Sequence, residues 1–184
     1  MKKYLSVILL VAMVLSSLTG CGNNKYEAGS VLGKWAYVHE PGETAFVLSE
    51  DGKATLDGEK YTYTMDDECI YLKDKNQNEK VLRYVMDEEE MLLYLPYIYT
   101  FTSEGDPNEL VGIWENPENN WFFEFTDKGT LNEDGYSQGY YIFYPDEGII
   151  YLFYNDQYPD TTLFYSINGN EMYLEYPWPM VRPE

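Results

Sequence analysis

The chain is short of the residues on which most enzyme chemistry depends. His39 is its only histidine, which leaves no multi-histidine zinc site and nothing resembling a His-based catalytic triad. No Gly-x-Ser-x-Gly elbow, phosphate-binding loop or dinucleotide fingerprint occurs. Cysteine is equally scarce: Cys21 and Cys69 are the only two, too few for a disulfide framework. Basic residues are outnumbered, with 12 Lys and Arg against 32 Asp and Glu and a net charge of −20. Such a polyanion cannot displace counterions from phosphates, so nucleic acid is excluded as a partner, and anionic lipid repels the body of the protein. The one apolar run, Leu5 to Leu15, is shorter than the roughly 20 residues a membrane-spanning helix needs.

That run has a second meaning. Lys2 and Lys3 precede it and Leu18-Thr19-Gly20-Cys21 follows it, which is the order of a secretory signal: positive start, short hydrophobic segment, small residues before the cut. The tetrapeptide resembles the lipobox of bacterial lipoproteins. The resemblance implies that residues 1–20 are removed and that the Cys21 thiol carries a diacylglyceryl group, placing the protein on the extracytoplasmic side of a bacterial cell membrane. Each buried methylene contributes about 0.8 kcal/mol and two acyl chains hold stably, so this anchor is durable. Processing removes Lys2 and Lys3 but no acid, taking the net charge to −22. Residues 21–30 are polar and form a flexible tether.

The remainder repeats. Val31-Leu32-Gly33-Lys34-Trp35 matches Leu110-Val111-Gly112-Ile113-Trp114, an offset of 79. Phe46, Leu48 and Gly52 match Phe123, Phe125 and Gly129 at 77; Ile70 and Leu72 match Ile150 and Leu152 at 80; Met91, Leu93 and Pro96 match Met172, Leu174 and Pro177 at 81. Offsets that drift only between strands are what β-units with variable turns produce. The expected division is repeat 1 over 31–102, a linker over 103–109 and repeat 2 over 110–184. Within each copy, apolar residues alternate over short runs bounded by Gly, Asp, Asn or Pro, the pattern of half-buried strands. Strands are predicted at 34–39, 43–49, 53–57, 60–65, 68–73, 79–86 and 90–101. In the second copy they fall at 112–116, 120–126, 129–133, 138–144, 148–154, 161–167 and 171–176. Connections this short imply an all-β, antiparallel meander of six or seven strands per copy.

The Leu/Val-x-Gly-x-Trp opening of each copy, on Gly33 and Trp35 and on Gly112 and Trp114, resembles the first strand of lipocalins and lipocalin-like lipoprotein domains. This implies two small barrels or half-barrels, or alternatively one larger barrel or sandwich shared by both copies.

Residues apolar in both copies form the expected core, and the opposite strand face is where the copies part. The first has Ala45, Thr64, Lys73, Arg83 and Leu92 there, whereas the second has Phe122, Tyr144, Phe153, Phe164 and Tyr173. With Tyr151, these define a candidate aromatic contact surface for a glycan or protein ligand, unless the face is buried against the first copy. Cys69 aligns with Ile149 and reads as a small apolar residue. The acidic clusters Asp66-Asp67-Glu68, Asp87-Glu88-Glu89-Glu90 and Asp146-Glu147 lack calcium-loop spacing and read as solvated turns. No metal, cofactor or catalytic residue is nominated. The reading is a membrane-tethered, non-enzymatic binding module; the alternatives are a lipocalin-like small-ligand carrier and a cell-envelope enzyme.

Overall fold

The computed structural model describes residues 30–87, 89–154 and 158–183. Cys21, the signal segment and all of the tether except Ser30 lie outside the described residues. The first half of the chain forms β1 (Gly33–Tyr37), β2 (Phe46–Leu48), β3 (Lys53–Leu56), β4 (Glu59–Met65), β5 (Cys69–Lys73), β6 (Glu79–Asp87) and β7 (Glu90–Phe101). The second forms β8 (Gly112–Asn116), β9 (Trp121–Phe125), β10 (Thr130–Glu133), β11 (Ser137–Tyr144), β12 (Ile149–Phe153), β13 (Thr161–Asn168) and β14 (Glu171–Val181). A single 3-10 turn, Pro107–Glu109, joins the halves, capped by the Asp106 carboxylate on the Asn108 N–H. The fold is all-β, and every strand pairs antiparallel with its neighbours in chain order.

The fourteen strands close into a ring because β1 also pairs with β14, Ala36 against Val181 and Tyr37 against Met180. A ten-pair ladder between β7 and β14, from Met91–Met180 to Thr100–Glu171, crosses the ring. It divides the ring into two circuits of eight strands. β1–β6 are completed by the first half of β7 and the last half of β14; β8–β13 are completed by the last half of β7 and the first half of β14. Near the centre of the ladder Leu95 faces Tyr176, 81 positions later in the chain. That is the spacing separating Met91 from Met172, so the ladder maps onto itself when the halves are exchanged.

β14 runs five residues beyond the predicted end at 176, through Pro177 and Pro179. Proline removes a ladder donor and is tolerated where its nitrogen faces away from a partner. The Val38 N–H donates to the Pro179 carbonyl at 3.1 Å, so residue 179, and Pro177 two residues before it, direct their polar groups away from β7. No ladder bond to β7 is lost.

Each half opens with the same device. Gly33 has φ 110° and Gly112 φ 137°, backbone that only glycine adopts without strain; a Cβ on Gly112 would also stand 2.5 Å from the Phe101 ring. The tryptophan two residues on then turns inward, fully buried. The Trp35 indole N–H donates to the Val31 carbonyl at 2.8 Å, and that of Trp114 to the Leu110 carbonyl at 2.9 Å. Phe101 packs on Trp114 at 5.0 Å between ring centroids. At the matching place in the first circuit the Arg182 guanidinium lies 3.6 Å over the Trp35 ring and donates to the Leu32 carbonyl at 2.9 Å and to the Ser30 carbonyl.

Two cores follow. One gathers Trp35, Phe46, Leu48, Ile70, Leu72, Leu82, Met91 and Leu93 together with Met180 from the far end of the chain. The other gathers Trp114, Phe123, Phe125, Ile150, Leu152, Leu163, Met172 and Leu174 together with Tyr99 and Phe101 from the first half. Fully burying each large apolar side chain contributes about 1.5–3 kcal/mol, and each half lends part of that to the other. Cys69 is a half-buried free thiol whose pKa is raised by burial.

Candidate functional site

Alternation along β11 to β14 sends Tyr140, Ile142 and Tyr144, then Ile149, Tyr151 and Phe153, then Phe164 and Tyr173, to the outside of the second circuit. Lateral pairing brings them side by side: Ile142 faces Tyr151, Tyr140 faces Phe153, Tyr144 faces Ile149, and Tyr173 faces Ile98 of β7. Tyr140 is 54% exposed, Ile142 45%, Tyr144 40% and Ile98 57%. The Tyr144 and Tyr151 rings meet edge to face at 5.6 Å. Five of the six residues singled out in the sequence thus share one outer face. Phe164 is its inner margin, packed edge to face on Tyr94 at 5.3 Å and covered by the Arg83 guanidinium at 4.2 Å; Arg83 donates in turn to Glu175 at 3.1 Å. Phe122 stands apart on β9, its N–H bonded to the Asp134 carboxylate at 2.6 Å, beyond β10 from this group.

A second feature lies at the seam of the two circuits. Where β14 leaves β13 at Glu175 and has not yet reached β1 at Met180, its edge is open and a cleft of about 590 Å³ forms beside it. Tyr94, Tyr136, Tyr158, Tyr176 and Trp178 are among the walls. Trp178 joins an aromatic chain, with Tyr176 at 6.0 Å, His39 at 5.8 Å and Tyr37 at 5.6 Å. Its indole N–H is buried without an acceptor in bonding geometry, although the Tyr97 hydroxyl is close enough to feel it.

Glu133 sits in the wall of this cleft. Leu131 and Glu133 share strand parity, so the carboxylate turns inward with Leu131 rather than out to solvent. The Tyr154 hydroxyl donates to its Oε2 at 2.6 Å, and the Tyr176 hydroxyl acts on the same carboxylate. Burial pushes the Glu133 carboxyl above the usual range, opposed by the Tyr154 hydrogen bond. Burial and then the charge of Glu133 push the Tyr154 and Tyr176 phenols well above theirs, keeping both protonated as donors. At the places matched by the sequence offsets, the first half carries Leu56 for Glu133 and Leu95 for Tyr176, both buried in its core. Hydrophobic positions of one half have become an acid held by phenols in the other.

Glu133, Tyr154 and Tyr176 were missed by sequence reasoning. Glu133 adjoins Asp134-Gly135 and reads as one more acid at a hairpin end. The signal that finds it is its place, 77 residues after Leu56, at a position that in the first copy belongs to the core.

Among the described residues no group of three or more His, Cys, Asp or Glu converges to hold a metal ion, and no helix is long and apolar enough to cross a membrane. No protein family, no curated protein and no solved structure matches the chain.

Proposed function

We propose that this protein is a lipid-anchored, extracytoplasmic binding module that meets a protein partner through the outer face of β11–β14. The observation that carries the reading is that face itself: Tyr140, Ile142, Tyr144, Tyr151, Tyr173 and Ile98 are all more than one-third exposed and lie with half-buried Phe153 on the outside of one sheet, on a chain of net charge −20. Patches of this kind mark contact sites. Tyrosine offers a rigid apolar body with a hydrogen-bonding tip, the composition of interface centres. The isoleucines interleaved with the tyrosines, Ile98 and Ile142 above all, suit a protein surface better than the flat stacking of sugar rings. Each circuit is centred on its own cluster of buried apolar side chains, which favours an external protein contact over a ligand enclosed at the centre of either circuit. Acylation of Cys21 would confine the module to the membrane while its acidic body stays clear of anionic lipid.

The test places a photo-crosslinking residue at Tyr151 in cells, with a control at Lys53. A discrete adduct at Tyr151 that is absent at Lys53, and is lost when Ile142→Asp is added, supports the reading. Equal or absent crosslinking at both sites refutes it. Fatty-acid labelling of the wild type and of Cys21→Ala tests the anchor separately, because labelling must vanish with the thiol.

A further inference from the structure

We propose that the seam cleft binds a small organic cation, an ammonium or guanidinium group carried on an apolar body. The proposal rests on the cleft alone and stands whether or not the outer face or the anchor behaves as described above.

Three observations fix the ligand class. First, the cleft is large enough for a small molecule, about 590 Å³ against the roughly 300–1,000 Å³ of typical ligand sites, and its aromatic walls complement an apolar body. Second, its charge has one sign. Among the described lining residues Glu133, Asp134 and Asp160 are acidic and none is Lys or Arg, so an anion would meet repulsion on entry and a cation attraction. Third, the hydrogen-bonding polarity at the deep end is set. Tyr154 gives its proton to Glu133, leaving the carboxylate as an acceptor with lone pairs to spare. An N–H donor completes that arrangement, and Tyr158 and Trp178 in the same lining are of the aromatic class whose ring quadrupoles attract a cation. At the corresponding positions of the first circuit Leu56 and Leu95 replace Glu133 and Tyr176 and offer neither carboxylate nor phenol.

The groups facing Glu133 are Asp134 from its own hairpin, Tyr99 of β7, Tyr154 beyond β12 and Tyr176 of β14, with His39 in the same cleft wall. A bound cation favours the ionised carboxylate, so affinity should rise with pH through the titration of Glu133, with a proton released on binding.

The experiment is calorimetric titration of the detergent-solubilised full-length protein with phenethylammonium and benzamidinium, against neutral 2-phenylethanol and anionic phenylacetate. The cations should bind saturably, at least tenfold more tightly than the alcohol, and phenylacetate should not bind. Glu133→Gln should weaken the cations tenfold or more while leaving the alcohol unchanged. Asp160→Asn, at an exposed rim position that cannot unfold the core, should weaken them about twofold and reduce their salt sensitivity. Equal binding of cation and alcohol, no binding of any probe, preference for the anion, or cation affinity unchanged in both variants would overturn the proposal.

Discussion

Met180→Ala is the sharpest test of the crossed-ring architecture. Met180 belongs to the second half of the chain, yet its side chain is fully buried in the core of β1–β7, with its backbone paired to Met91 on one side and Tyr37 on the other. Truncating a buried methionine to alanine costs about 2–5 kcal/mol, including the cavity left behind. For a domain of this size each kcal/mol lowers Tm by about 2–4 °C, so a fall of roughly 4–20 °C is expected. The location of the damage matters more than its size. Hydrogen exchange should show lost protection in β1, β2 and β3, around 140 residues away in sequence, whereas Met172→Ala, equally buried but in the other core, should first loosen β8 to β13. Because both circuits share β7 and β14, thermal unfolding of either variant should remain a single transition. If Met180→Ala shifts Tm by less than 2 °C, or leaves the amides of Phe46 and Leu48 as protected as in the wild type, the far end of β14 does not close the first circuit and the reasoning fails.

Gly139→Ala should be among the most damaging single changes, because a Cβ there would stand 2.0 Å from the Phe153 backbone carbonyl oxygen; a loss of about 3 kcal/mol and a Tm fall of about 6–12 °C are expected, and a Tm within 2 °C of wild type would contradict the strand spacing. Phe153→Ser and Phe164→Ser separate the outer face from its inner margin. The first should shift the urea midpoint by the equivalent of less than about 1 kcal/mol, the second by about 2–3 kcal/mol through lost contact with Tyr94 and Arg83, and equal costs would refute the distinction. Stability should also depend on the Glu133 carboxyl. Burial raises its pKa in the fold, so between the unfolded and folded values the native state holds a proton that the unfolded chain has released. Stability therefore falls as pH rises through that interval and levels off above it; calorimetry from about pH 4 to pH 8 should show this slope diminished in Glu133→Gln.

The strands were readable because their alternation is strict. Phe46-Val47-Leu48 and Ile149 to Phe153 could hardly bury one face any other way, and most predicted boundaries lie within two residues of the observed ones. The end of β14 was hidden by Pro177 and Pro179, which locally argue against a strand; only the neighbouring β1, visible in three dimensions, explains why they are tolerated. The crossing of β7 and β14 was not legible either. Met91 and Met172 mark equivalent places in either arrangement, and nothing in a repeat says whether the last strand of a copy closes its own circuit or half of the other. The outer aromatic face was visible from parity, since Tyr144, Tyr151 and Phe153 alternate with core residues. Phe122 satisfied the same parity, but its strand is separated from the others by β10, a fact of lateral order that alternation does not encode. Glu133 escaped because an acid beside Asp-Gly is usually solvated, and the neighbours that hold it come from elsewhere in the chain, Tyr154 from just beyond β12 and Tyr176 from β14.

The prolines of β7 and β14 matter where many copies meet at high local concentration. A ring of strands offers other molecules almost no unpaired edge, and the stretches left open are those where β7 and β14 pass from one circuit to the other. Pro96 occupies the first, and Pro177 and Pro179 the second. Each lacks the N–H that an intruding strand would need, so the exposed stretches are poor templates for edge-to-edge assembly. At high local concentration, neighbouring molecules would then resist polymerising into shared sheets, leaving their side-chain surfaces to choose their partners.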